Sequence, residues 1–130
     1  MLVRMDHKTV EEYILSMPNA KLDYPFGEDV AVYKVKDPDS KTSSTTGHSK
    51  MFALIAEKKT PVRLSLKCDP QLAQLLRKKY ETVMEGYHLN KKHWNTIVLT
   101  GQLPWEEVQA LILHSYDLVT KTDSETPKIK

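Results

Sequence analysis

Apolar residues recur every three to four positions in three segments of the chain, which is the spacing of one face of an α-helix. The first segment ends before Pro18, because the residue before a proline is pushed out of helical geometry. The other two begin at Pro70 and Pro104, and proline is favoured at the first position of a helix. We predict helices over 9–17, from 69–70 onward and from 104 onward.

Other segments alternate apolar and polar residues, which is typical of a strand with one buried face. In 62–68, Leu64 and Leu66 fall on one face, and Arg63 and Lys67 fall on the other. Segment 51–56 is apolar without alternation, and this predicts a central strand that is covered on both sides. The predicted strands cover 30–36, 51–56, 62–68, 82–85 and 93–99.

The predicted order of elements is α-β-β-β-α-β-β-α. Three consecutive strands favour an antiparallel meander, and the helices between and outside the strands favour an α+β fold with the helices on one face. We therefore predict two layers, with a five-stranded antiparallel sheet that is uncovered on its second face. If Leu64 and Leu66 point into the core, Arg63 and Lys67 must point from the uncovered face.

The length of 130 residues favours a single domain. We place that domain at 1–121, because the polar segment 122–130 predicts a flexible C-terminal tail. Segment 37–49 has almost no apolar residues and is rich in turn formers, so it predicts a long hairpin loop.

The composition favours a globular protein inside the cell. The chain is 40% hydrophobic and 28% charged, and it lacks an apolar run of the roughly 20 residues that a membrane-spanning helix needs. Its N-terminus turns polar at once, unlike a signal peptide. Because Cys68 is the single cysteine, no internal disulfide can form. We expect a cytoplasmic protein without membrane association.

The formal net charge of +2 conceals an asymmetry along the chain. Residues 1–40 carry 5 basic and 8 acidic side chains, residues 41–103 carry 11 and 4, and residues 104–130 carry 3 and 5. Such a basic middle section favours a polyanionic partner if its charges share one surface. Alternatively, the acidic flanks fold beside the basic strands and neutralise them.

Segment 86–95 carries the densest set of candidate binding residues. It combines rings that can stack on bases with ammonium and amide groups that can bind phosphates or base edges. Alternatively, Tyr87 and Trp94 anchor the core while the lysines are merely solvated. The candidate nucleic-acid-binding residues are Arg63, Lys67, Tyr87, His88, Asn90, Lys91, Lys92, His93, Trp94 and Asn95.

No catalytic or metal-binding motif is complete in the sequence. Cys68 with His88 or His93 has the residue types of a thiol nucleophile and its base, but Cys68 falls on the inward phase of its strand. The two histidines lack the Cys or carboxylate pair that would complete a zinc spacing. Walker A, GxGxxG and GxSxG patterns are absent from the sequence. We therefore predict a non-enzymatic protein with no cofactor and no metal.

Five motifs in one order resemble the MmcQ/YjbR-like family. They are YPFGEDVAVYKV at 24–35, KMFAL at 50–54, LKCDP at 66–70, GYHLNKKHWNT at 86–96 and HSYDLV at 114–119. The resemblance extends from about residue 8 to residue 121 and implies a CyaY-like α+β fold. It also implies a double-wing DNA-binding protein, whose contacts would fall on Lys67 and on the candidates within 87–95. Segment 37–49 is longer than the turn that the family implies.

The sequence leaves three functional hypotheses. The first is a non-enzymatic domain that binds DNA phosphates through the basic uncovered sheet face and segment 86–95. The second is a protein-interaction module that docks a peptide or a second subunit on the uncovered face. The third is an enzyme or small-ligand protein that uses Tyr87, His88 and His93.

Overall fold

The computed structural model describes residues 5–36, 49–86 and 89–120. Most of the predicted loop at 37–49, the predicted tail at 122–130, and the candidates Tyr87 and His88 lie outside these ranges. The helices within them are α1 (His7–Leu15), α2 (Pro70–Lys79) and α3 (Trp105–Thr120). The strands are β1 (Ala20–Asp23), β2 (Val30–Lys36), β3 (Ser49–Ala56), β4 (Arg63–Lys67), β5 (Val83–Glu85) and β6 (Trp94–Val98).

These strands form one antiparallel sheet in the order β1-β2-β3-β4-β6-β5. Strands β2, β3 and β4 form the predicted meander, β1 extends it at one edge, and β6 rather than β5 lies beside β4. In the β4–β6 ladder Lys67 is opposite Trp94 and Leu66 is opposite Asn95. The end of β4 therefore lies next to the start of β6.

The α+β class is confirmed, but the expectation of five strands is wrong, because β1 is a sixth strand. It pairs with β2 along its whole length and forms one edge of the sheet. Three of its four residues are exposed, so its sequence carries no alternation of buried and exposed positions. Asn19, with a positive φ of 66°, turns the chain from α1 into this strand.

Helix α1 begins at His7 rather than at the predicted position 9, because Asp6 caps it. The Asp6 carboxylate accepts a hydrogen bond of 2.9 Å from the backbone N–H of Thr9. Residues Val10 and Ile14 then fall on the buried face of the helix, as their spacing predicts.

All three helices pack on one face of the sheet and enclose the main core. Helix α2 contacts this core through Leu76, and its Ala73 is fully buried, whereas Leu75 is 61% exposed. The fully buried members of the main core are Val10, Ile14, Ala31, Tyr33, Phe52, Ala53, Ile55, Leu64, Val108 and Ile112.

The face opposite the helices carries a second apolar cluster, which corrects the expectation of an uncovered face. Val32, Leu54 and Trp94 are buried there, and Met51 and Leu89 pack against them. Because Trp94 belongs to β6 while its partners belong to β2 and β3, its indole ring extends across β4. The Trp94 ring therefore covers part of this face, and the polar positions of β4 lie beside it.

Helix α3 is fastened to the sheet at the point where β3 and β4 separate. The β3–β4 ladder ends at the pair Ala53 and Leu66, so the next pair would join Phe52 to Lys67. Instead, the Ser115 hydroxyl donates to the Phe52 carbonyl oxygen at 2.5 Å and accepts from the Lys67 N–H at 3.0 Å. This fully buried hydroxyl replaces the missing pair of the ladder.

We expect Ser115→Ala to lower the free energy of unfolding by about 2–3 kcal/mol, because it leaves two buried backbone groups without a partner. Urea denaturation with an unchanged m value measures this loss. The matched control is Ser16→Ala, which removes an exposed hydroxyl that donates to the Tyr13 carbonyl, and it should cost less than about 1 kcal/mol because the carbonyl keeps its bond from the Ser16 N–H. Equal losses in the two variants would contradict the role assigned to Ser115.

Candidate nucleic-acid interface

Strand β4 presents two cations on the face opposite the helices. Leu64 and Leu66 are buried in the core, so Arg63 and Lys67 point to the other face, as the alternation predicts. Ser65 lies between the two cations, and its hydroxyl is 2.8 Å from the Thr96 hydroxyl on β6. The outward side of β4 is therefore a polar stripe.

The turn before β6 presents two more cations at the same end of the sheet as Lys67. The Asn90 side-chain oxygen accepts from the Lys92 N–H at 2.9 Å, and the Asn90 carbonyl accepts from the His93 N–H at 3.2 Å. The His93 carbonyl accepts from the Cys68 N–H at 2.7 Å, which ties the turn to the end of β4. Lys91 and Lys92 are exposed on this turn.

Arg77 on α2 holds the turn from the helix side. One guanidinium nitrogen, Nη1, donates to the Lys91 carbonyl at 3.2 Å and to the Asn95 side-chain oxygen at 2.7 Å. The Asn95 amide nitrogen in turn donates to the Ala73 carbonyl at 3.3 Å. Arg77 and Asn95 thus form a brace between α2, β6 and the turn.

Four cations lie along β4 and on the adjoining turn without a carboxylate partner in the described part of the chain. Within the described ranges, no carboxylate oxygen lies within 4.0 Å of Arg63, Lys67, Lys91 or Lys92. Lys34 differs, because Asp23 lies 3.3 Å from its ammonium group and neutralises it. We call Arg63, Lys67, Lys91 and Lys92 the basic surface.

Two of the predicted contact residues are inside the protein. Asn95 is 2% exposed and its side chain is fully engaged in the brace, which removes it from the candidate contacts. Trp94 is 7% exposed, and its ring lies in the second apolar cluster, so it cannot stack on a base. Asn90 is exposed and His93 is half-buried.

Sequence reasoning missed Arg77, which looks like a cation placed to complement the C-terminal dipole of α2. A signal exists in its spacing from Ala73, because residues four apart share one helix face. Ala73 is fully buried, so that face of α2 lies against the sheet. What Arg77 bonds there depends on Asn95 and Lys91, which only the fold brings near.

The thiol of Cys68 is buried, as its strand phase predicts. Burial, and to a lesser degree the charge of Asp69, raises the pKa of this thiol to about 11, so the thiol is protonated at neutral pH. Its bond to His93 runs between backbone atoms. Beside it lies an apolar cavity of about 10 Å³ between α2, α3 and the sheet, which has room for no more than one water molecule.

Among the described residues, no three His, Cys, Asp or Glu side chains are arranged to hold a metal ion. In the same part of the chain, no helix combines the length and apolar character needed to cross a bilayer.

We expect Arg77→Met to increase amide hydrogen exchange at Lys92 and His93 about tenfold, because the turn loses its hydrogen bond to α2. Exchange measured by NMR at these amides tests this. Lys78→Met is the matched control, since it removes the same charge from an exposed neighbouring position of α2. Unchanged exchange in the Arg77 variant would show that Arg77 does not hold the turn.

Known proteins share both the sequence and the fold. The family model described as YjbR matches residues 15–118. The chain is 41% identical over 66 residues to the Escherichia coli K12 protein named uncharacterized protein YjbR, which covers 51% of this chain and 56% of that protein. The chain thus spans little more than half the length of that relative. It is also 30% identical over 113 residues to YbdF of Escherichia coli O157:H7, covering 87% of this chain and 83% of that protein.

Two solved structures resemble the fold described above. The crystal structure of Deinococcus radiodurans DR2400, with a DUF419 domain, has a TM-score of 0.79 and 35% identity, and the match covers 92% of this chain and 84% of that chain. A Pseudomonas syringae protein has a TM-score of 0.67 and 29% identity, with 88% and 98% covered. Since the family model matches more than half of the chain, from the last residue of α1 almost to the end of α3, the chain belongs to the YjbR family.

Proposed function

We propose that this YjbR-family domain binds nucleic acid by its phosphates, through the basic surface of Arg63, Lys67, Lys91 and Lys92. The observation that carries the proposal is that these four cations lie on β4 and the adjoining turn without a carboxylate within 4.0 Å in the described part of the chain. Each cation that neutralises a phosphate releases counterions, which favours binding at low salt.

Hydroxyl groups on the same face support phosphate contacts. Ser65 and Thr96 share one hydrogen bond; when the Ser65 hydroxyl accepts it, the half-buried Ser65 O–H is free to donate to a phosphate oxygen, whereas Thr96 is buried. These hydroxyls lie on β4 and β6 between the positions of Arg63 and Lys67. The face therefore offers both charge and a directed donor.

The arrangement favours contact with the backbone of the nucleic acid over readout of its bases. The Asn95 amide is bonded within the protein, and the Trp94 ring lies in the second apolar cluster. Phosphate contacts position a protein but carry no sequence information. We therefore expect weak, strongly salt-dependent binding with little sequence preference.

The residues of this face favour a polyanion over a protein partner. Its central apolar residues, Val32, Leu54 and Trp94, are already buried against one another. The positions that remain along β4 are cations and a hydroxyl, whereas the centre of a protein interface is depleted of charge. A partner that stays bound at high salt after nuclease treatment would favour the protein-interaction hypothesis instead.

We expect Lys91→Glu/Lys92→Glu to weaken binding to a labelled DNA oligonucleotide more than tenfold. The salt slope, which is the change of log affinity with log salt concentration, should fall by the equivalent of about two phosphate contacts. Fluorescence anisotropy at several salt concentrations measures both quantities. Lys78→Glu/Lys79→Glu is the matched control, because it makes the same charge change at exposed positions on α2.

This control variant should bind within about threefold of the unmodified protein, since only long-range charge is altered. Equal losses in the two double variants would indicate a general charge effect rather than a site. The absence of binding by the unmodified protein at low salt would contradict the proposed function itself.

A further inference from the structure

The side chain of Trp94 combines a buried ring with a hydrogen-bond donor that has no acceptor among the described residues. Trp94 is 7% exposed, and its ring belongs to the apolar cluster that contains Leu54 and Val32. No described residue accepts a hydrogen bond from its indole nitrogen, Nε1. In the same ranges, every buried side-chain nitrogen or oxygen has a partner. Nε1 is therefore not buried: the small exposed part of Trp94 includes its N–H group.

The residue that carries this N–H group lies opposite a lysine in the sheet. Trp94 and Lys67 are directly opposite in the β4–β6 ladder and share the face opposite the helices. Directly opposite residues in an antiparallel pair have Cβ atoms roughly 5 Å apart. Lys67 has no carboxylate within 4.0 Å among the described residues. The residue with the neutral N–H donor and the residue with the unneutralised ammonium group are therefore neighbours on adjacent strands.

Both positions are held rigidly by the surrounding backbone. The Ser115 hydroxyl fixes the N–H of Lys67 at 3.0 Å. The Gly86 N–H donates to the Trp94 carbonyl at 3.0 Å, and a Cβ at Gly86 would lie 2.7 Å from the Trp94 Cβ. The close approach that only glycine permits at position 86 fixes the Trp94 backbone against β5. The donor is therefore preorganised, which lowers the cost of binding a ligand.

We propose that the Trp94 N–H donates a hydrogen bond to a phosphate oxygen whose charge is neutralised by Lys67. A phosphate diester suits the pair, because it carries one negative charge and two acceptor oxygens for one cation and one neutral donor. This inference rests on the proposed function and names Trp94 as a contact residue that acts through its N–H edge, not by stacking.

The NMR signal of the indole N–H tests the contact in the unmodified protein. The chain has two tryptophans, Trp94 and Trp105, so a ¹⁵N spectrum gives two indole signals, and Trp105 on α3 is the internal reference. Titration with a short DNA duplex at low salt should shift the Trp94 signal and leave that of Trp105 in place. If binding occurs and the Trp94 signal does not move, the inference is overturned while the proposed function stands.

Substitutions at Trp94 and Lys67 distinguish the effect of the neutral N–H donor on affinity from the effect of the lysine charge. Trp94→Phe keeps an aromatic ring but removes the N–H, so affinity should fall about tenfold, the typical effect of one hydrogen bond to a charged group, with the salt slope unchanged. Lys67→Gln should lower both the affinity and the salt slope, the latter by about one phosphate contact. Trp105→Phe is the matched control and should leave both values unchanged.

The outcomes distinguish the two proposals. Loss of DNA affinity in Trp94→Phe with an unchanged salt slope, together with the indole shift in the unmodified protein, supports the Trp94 contact. Full affinity in Trp94→Phe overturns it and leaves the basic surface intact as a hypothesis. Absence of any DNA binding by the unmodified protein overturns both. If Trp94→Phe unfolds, the indole titration decides alone, since it needs no variant.

Discussion

A single hydroxyl group takes the place of a backbone pair in the centre of this sheet, and the attachment of α3 depends on it. Ser115 bonds the Phe52 carbonyl and the Lys67 N–H, which would otherwise face each other in the ladder. Its neighbours on α3 extend the attachment: the His114 ring accepts from the Asp69 N–H, and the Tyr116 hydroxyl donates to the Pro18 carbonyl. Three consecutive side chains thus join α3 to the start of α2, the sheet and the turn before β1.

The same attachment gives the basic surface a rigid frame. The N–H groups of Lys67 and Cys68 are bonded to α3 and to the turn, and Arg77 bonds the turn to α2. The backbone that carries Lys67 and Lys91 is thus fixed by tertiary hydrogen bonds, while the lysine side chains extend into solvent. Such a frame reduces the ordering cost of binding to that of the side chains.

The residues of the motif at 86–96 have two different roles, packing inside the protein and exposure on its surface, and the sequence does not show which residue has which role. Gly86, Trp94 and Asn95 are buried, and each fits a particular neighbour through close approach, ring packing or amide bonding. Lys91 and Lys92 in the middle of the motif are exposed. The motif is therefore not a uniform binding segment. The buried residues at its two ends hold the backbone, and the exposed lysines lie in its centre.

The sequence alone determined the helices, most strands and the outward direction of Arg63 and Lys67, because local periodicity records which side of an element is buried. It did not reveal β1, since an exposed edge strand has no buried side to record. It could not show that Asn95 faces Arg77 or that the Trp94 ring crosses β4 to Leu54. These contacts join residues on different elements, and only the tertiary packing of those elements decides which polar groups meet inside the protein and which remain on its surface.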